Sequence, residues 1–338
     1  MASRAGLAAP ATDVSLATPH WRSVLAAWQS EIGVGAALLV LIAVCGLLSR
    51  NFFSIGNFAT LLTQTSVTAI IAVGMTVVMI VGEIDLSVGS TVGLAGSVFA
   101  WLVVTQGMAI VPAAILVLLG AACIGGGIGG LRVVWGIPSF ITTIGLLSTL
   151  RGCAFLLTGG VTIAPLPGGM DALWYGQVLG VPLPILLMVA AVICGAVLLD
   201  QTRLGRHIYA LGGDPVTASR YGVKIRRIRI GVFVVVQMLA AFGGIMLAAR
   251  LSSGSASVGE GLELDVIAAV IVGGTRLSGG AGRVVGTLIG VLFVAVLRNG
   301  MVLLGVNPIG FMILQGMVII LAVWWSMSRR LADAGGRA

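Results

Sequence analysis

Ten apolar runs follow one another along the chain, at 31–49, 57–81, 88–105, 109–131, 137–157, 183–199, 230–250, 263–274, 284–304 and 309–326. A helix that crosses the hydrocarbon core of a bilayer needs about 20 residues. Most of the runs come near that length. The run at 263–274 is shorter, which predicts a broken or re-entrant helix. The stretch 57–105 reads either as two spans joined by a tight turn or as one span plus re-entrant pieces. The expected fold class is an all-α integral membrane protein with about ten transmembrane helices.

One long polar interval breaks the pattern, LDQTRLGRHIYALGGDPVTASRYGVKIRRIRI at 199–230. It carries Arg203, Arg206, Arg220, Lys224, Arg226, Arg227 and Arg229 against Asp200 and Asp214. Within it, Gly212-Gly213-Asp214-Pro215 predicts the start of a short helix. A carboxylate at the cap accepts from free N–H groups, and proline at the first helical position has no N–H to lose. Gly222 is the natural stop, because glycine adopts the left-handed conformation that ends many helices.

Composition supports lipid as the solvent. Apolar residues make up 58% of the chain and charged residues 9%, where a soluble domain carries roughly 25% charged residues. The net charge of +8 does not imply nucleic acid, because the basic residues sit in short loops as the positive-inside rule requires. With the N-terminus inside, Arg4, Arg22, Arg132, the basic interval, Arg276, Arg283, Arg329, Arg330 and Arg337 are cytoplasmic, while Arg50 and Arg250 lie outside. Both termini are then cytoplasmic. The expected organisation is a cytoplasmic tail over 1–30, a membrane domain over 31–326 with its cytoplasmic loop at 200–229, and a second tail over 327–338.

A weak repeat links Gly82-Glu83-Ile84-Asp85-Leu86 after span two with Gly259-Glu260-Gly261-Leu262-Glu263-Leu264-Asp265 after span seven. Each acidic stretch leads into a small-residue apolar segment. Five spans separate them, an odd number, which predicts an inverted repeat of spans 2–5 and 7–10.

Little else in the chain carries chemistry. Gly125-Gly126-Gly127-Ile128-Gly129-Gly130 matches the dinucleotide fingerprint in form only, since no strand precedes it and no acid follows at the required spacing. Close helix packing explains it, as it does Gly89/Gly93 and Gly286/Gly290, all small residues four apart. No G-x-x-x-x-G-K-[ST] phosphate loop occurs, so any ATP hydrolysis belongs to another chain. Cys45, Cys123, Cys153 and Cys194 lie in apolar runs without a CxxC, and His20 and His207 stand far apart. No catalytic residue, metal site or cofactor is expected.

Glu83, Asp85, Glu263 and Asp265 are either structural acids or acids of a path, and at membrane depth an acid carries a functional reading by default. The structural role, as caps or as partners of nearby arginines, is favoured for Glu83 and Asp85. Polar residues within spans are candidates for a solute path: Gln64, Thr65, Thr68, Ser139, Thr142, Thr143, Gln237, Asn299 and Gln315. Gln64, Thr68, Thr142, Asn299 and Gln315 lead that group. The competing role is hydrogen bonding between helices. A neutral polar lining suits an uncharged hydrophilic solute better than a proton relay.

The stretches GEIDLSVGS (82–90), ALGGDPVTASRYGV (210–223) and GEGLELDVIAAVIVGGTRLSGGAGRVVGTLIG (259–290) resemble signatures of the ribose/xylose/arabinose-type permease subunits of bacterial ABC importers. The resemblance runs over residues 31–326. It implies a multi-pass inner-membrane permease that works as a pair of permease subunits, expected to be a homodimer, with an ATPase subunit on its cytoplasmic side and a periplasmic solute-binding protein outside. It places a coupling helix at 213–222, with Gly213, Asp214, Pro215, Ala218, Arg220 and Gly222 toward the ATPase. The family usually has Asn where this chain has Asp214, and Ala-Ala-Arg where it has Thr217-Ala218-Ser219; capping survives the first change. The implied function is import of a monosaccharide or related polyol by alternating access. The alternative is an ion-coupled secondary transporter using Glu83 and Asp85.

Overall fold

The computed structural model describes residues 29–307 and, beyond them, residues 310, 313, 314, 316, 317, 320, 321 and 324. The tail expected over 1–30 lies outside the described residues except for its last two. The tail over 327–338 lies wholly outside them, and the tenth span, 309–326, does so for the larger part.

The apolar runs become helices. In chain order they are α1 (Gln29–Leu48), α2 (Ile55–Ile80), α3 (Val88–Ala100, continued by a π turn at Trp101–Thr105), α4 (Ile110–Val134) and α5 (Ser139–Thr158). A loop then carries the short helix α6 (Ala172–Tyr175) and a small hairpin, β1 (Gln177–Val178) and β2 (Val181–Pro182), with Val178 opposite Val181. The remainder is α7 (Leu183–Gln201), α8 (Arg203–Gly213), α9 (Pro215–Arg220), α10 (Ile225–Leu251), α11 (Leu262–Val272) and α12 (Val284–Leu303). Eight of these are long and apolar enough to cross a membrane, α3 counted together with its π turn. The molecule is an all-α, multi-pass membrane protein. The stretch 57–105 is two spans, separated by an irregular segment at 81–87.

At about 1.5 Å per residue, α11 extends about 16 Å, half of a hydrocarbon core about 30 Å thick. It is the short helix expected at 263–274. The segment before it, 252–261, runs back along α3: Gly254 backs onto the backbone of Gly96 and Ser97, and Gly259 onto Gly89.

Burial separates core helices from lipid-facing ones. In α2, α3 and α10, 78%, 72% and 56% of the apolar span is buried, against 11% in α1 and 17% in α5. The outward faces of α1, α4 and α5 carry Leu39, Val40, Ile115, Leu119, Phe140 and Ile141, all exposed. Such faces are stable only against lipid or another apolar surface.

The packing order carries the repeat. Helix α2 packs on α11 and α12, while α10 packs on α3 and α4, and α2 and α10 meet each other. Helix α2 ends, and α10 begins, at the same end of the bundle, where Glu83 meets Arg229. Exchanging the two halves therefore maps one set of contacts onto the other in reversed direction, as an inverted repeat requires. That shared end also holds Arg132, Arg283 and the α8–α9 segment; it is the basic end. The opposite end is covered by the 158–182 loop, where Ile163 pairs with Gly254 and the Arg250 guanidinium lies 5.2 Å from the Trp174 ring centroid.

Candidate functional site

The polar interval folds into two short helices at the basic end. Thr202 caps α8 by accepting from the Gly205 N–H at 3.0 Å. Helix α8 buries Gly205, Ile208 and Leu211 on one side and leaves its arginines exposed on the other. Asp214 then ends α8 and caps α9. Its Oδ1 accepts from the Val216 N–H at 2.9 Å, and its Oδ2 accepts from the Thr217 hydroxyl. The Thr217 hydroxyl foremost, then the Thr217 and Val216 backbone, hold the Asp214 carboxyl below the usual carboxylate range. Helix α9 stops where Gly222 takes φ +80°. Only Ala218 of α9 is buried; Pro215, Val216, Thr217, Ser219 and Arg220 face outward. A short, capped helix thus projects from the bundle.

Backbone-to-backbone contacts join this projection to the core. The Gly280 N–H donates to the Ile80 carbonyl at 2.8 Å, tying the 273–283 loop to the end of α2. A Cβ on Gly212 would collide with that same carbonyl and with the Gly280 nitrogen, and one on Gly279 would lie 2.9 Å from the Gly212 carbonyl and the Gly82 nitrogen. Gly82, Gly279 and Gly280 also have positive φ, at 82°, 84° and 76°, which side chains rarely tolerate. Tyr209 of α8 adds a bond to the Gly282 carbonyl at 2.7 Å. The end of α8, the end of α2 and the approach to α12 meet in a junction of glycines.

Two acid networks lie just above it. Glu83 is buried and meets Arg132 at 2.7 Å, Arg229 at 3.2 Å and the Ser139 hydroxyl at 2.7 Å. One carboxylate thereby holds together the end of α4 and the starts of α5 and α10. Asp85 is fully buried. It accepts from the Ser87 N–H at 2.9 Å, the Ser87 hydroxyl at 2.6 Å and the Gln237 amide at 2.8 Å. Gln237 in turn accepts from the Thr91 hydroxyl. This network fixes the start of α3 against the middle of α10. On the repeat-related side, Asp265 lies 3.4 Å from Arg298, and Glu263 is near Gly89. Arg151 reaches the same segment, donating to the Val258 carbonyl at 2.9 Å and to that of Ala256.

The candidate path residues scatter. Gln237 and Ser139 are used by the acids. Asn299 exchanges amide hydrogen bonds with Asn57 at 2.9 and 3.0 Å, joining α12 to α2. Thr65 and Thr143 turn back onto carbonyls of their own helices. Gln64 is exposed and Thr68 half-buried on α2, and the Thr142 hydroxyl on α5 is buried without a hydrogen-bond partner among the described residues. Gln315 lies outside the described residues. No cluster of His, Cys, Asp and Glu among the described residues suits a metal ion.

A protein family described as the permease component of the branched-chain amino acid transport system matches residues 57–323. The chain belongs to that permease family. The permease is 44% identical over 305 residues to the ribose import permease protein RbsC of Escherichia coli strain K12, covering 88% of this chain and 94% of that one. It is 39% identical over 298 residues to the probable ABC transporter permease protein YphD of the same organism, covering 87% and 88%. It is 31% identical over 358 residues to that organism's xylose transport system permease protein XylH, covering 88% and 91%. No solved structure matches the chain. In this permease, the parts that sequence reasoning missed are α8 and the glycine junction. The signal for α8 was present, in Thr202 as a cap and in apolar residues at helical spacing; the junction joins residues far apart in sequence and left no local mark.

Proposed function

We propose that the permease forms the translocation path for a monosaccharide or related polyol in an ATP-driven ABC importer of the inner membrane. Its identity to a ribose import permease over nearly the whole of both chains carries this reading. Hydrolysis takes place on an ATPase subunit at the basic end, which is the cytoplasmic end, and both termini lie on that side. A periplasmic solute-binding protein delivers solute to the opposite end. Two copies of the permease work together.

In this reading α9 is the coupling helix, with Gly213, Asp214, Pro215, Ala218, Arg220 and Gly222 as its working residues. Closure of the ATPases displaces α9. The displacement passes from α8 through the glycine junction into α2 and α12 with no flexible side chain to absorb it. Rigid shifts of packed helices then expose the path to one side or the other. Of the path candidates among the described residues, Gln64, Thr68 and Thr142 have no hydrogen-bond partner and are those assigned to meet solute. Glu83 and Asp85 act as fixed structural acids, since their oxygens are occupied by arginines, hydroxyls and an amide.

The test is uptake of radiolabelled ribose into vesicles holding the permease, its ATPase and its binding protein. Ala218→Trp, which enlarges the buried side chain of α9, abolishes solute-stimulated ATP hydrolysis and leaves membrane insertion unchanged. Normal coupled transport in that variant contradicts the role given to α9.

A further inference from the structure

At the basic end a cavity of about 550 Å³ opens between the last turn of α4, the end of α9 and the first turns of α10. Five cations line it: Arg132, Lys224, Arg226, Arg227 and Arg229. No carboxylate lines it among the described residues. Glu83 behind it engages Arg132 and Arg229. Lys224, Arg226 and Arg227 are exposed and form no ion pair among the described residues. Cations gathered this closely repel one another, and an anion within the cavity relieves that repulsion.

The surroundings indicate which anion. Val133, Val223 and Ile225 give the cavity an apolar part. Val134 and Trp135, next in the chain to Val133, are 70% and 69% exposed. They end a helix long enough to span the bilayer, where tryptophan marks the headgroup level. The cavity therefore sits where a headgroup meets the first carbons of its lipid. Basic pockets between spanning helices at this level suit anionic headgroups. A soluble phosphate satisfies the cations and leaves the apolar wall unused.

We propose that this cavity binds the headgroup phosphate of an anionic phospholipid. Ser219 of α9 also lines the cavity, so a bound headgroup bridges α9 to α4 and α10. If α9 is the coupling helix, the lipid sets the rest position of that helix. The binding itself does not depend on that reading.

The experiment uses the full-length chain in detergent, stripped of lipid and titrated with phosphatidylglycerol or phosphatidylcholine under native mass spectrometry. Phosphatidylglycerol binds with saturation and phosphatidylcholine does not. Replacing two of the three exposed cations, Lys224→Gln with Arg227→Gln, weakens phosphatidylglycerol binding by about 25-fold, at about fivefold per cation. Arg227→Lys, which keeps the charge, binds as the parent does. Three results overturn the proposal. The first is equal binding of the two lipids or no effect of the double change. The second is displacement of phosphatidylglycerol by an equal concentration of inorganic phosphate, which makes the cavity a soluble-anion site. The third is loss of ATPase copurification in the double variant with lipid binding unchanged, which makes the cavity a protein-docking surface.

Discussion

Gln237 shows what a single side chain does in this bundle. From sequence it is one polar residue in an apolar span, as suited to a solute path as to a structural bond. In the structure its amide donates to Asp85 and to Ser87, and its carbonyl accepts from Thr91. Gln237→Leu removes the donor to Oδ2 of a fully buried carboxylate, whose Oδ1 keeps Ser87, and losing the partner of a buried polar group costs about 1–3 kcal/mol, more when it is charged. Thermal unfolding in detergent should show a clear drop for Gln237→Leu and a smaller one for Thr91→Val, which removes a neutral donor farther from the acid. Asp214 makes a prediction of the opposite kind, at an exposed site. Its carboxyl titrates below the usual range when folded. Its capping contribution is therefore present above the unfolded value, about 3.9, and is lost as pH falls through the lowered folded value. Amide-exchange protection at Val216 should persist as pH falls past 4 and fade only below it. Asp214→Asn, which caps without titrating, should remove the fade. Protection that is lost above pH 4 in the parent contradicts the capping geometry.

At the scale of elements, legibility followed the range of the interaction. The caps at Asp214 and Pro215 and the stop at Gly222 are local, and they stand where the sequence places them. The short α11 was visible as a short run. Helix α8 was not, because Arg203, Arg206 and the basic residues after it read as a loop when no partner surface is in view. The glycine-rich run of α4 was legible as packing, though not residue by residue. A Cβ on Gly125 would strike the backbone of Phe233 and Val234, while one on Gly126 or Gly127 meets nothing. Gly125→Leu should therefore destabilise the bundle by about 1–3 kcal/mol or more, as overpacking does. Gly126→Leu should be close to neutral, since its added side chain enters open space. Equal losses in thermal unfolding would remove the packing account of this helix pair. The glycine junction predicts loss of coupling without loss of fold: Gly212→Ala pushes α8 away from the Ile80 carbonyl. Solute-stimulated ATP hydrolysis should fall by more than basal hydrolysis does.

The whole molecule is an apolar bundle whose two halves share one packing scheme in opposite directions. The acids of the ion-coupling alternative are both engaged between helices: Glu83 joins helix ends at the basic end, and Asp85 ties the start of α3 to the middle of α10. The structure leaves a capped helix projecting from that end and a backbone junction of glycines beneath it, which is the geometry the proposed coupling role needs. Ribose uptake into vesicles reconstituted with the permease, its ATPase and its binding protein tests that claim most directly. Uptake should require ATP at the basic end, together with the binding protein, and should be indifferent to proton and sodium gradients. Uptake driven by an ion gradient in the absence of ATP would contradict the account.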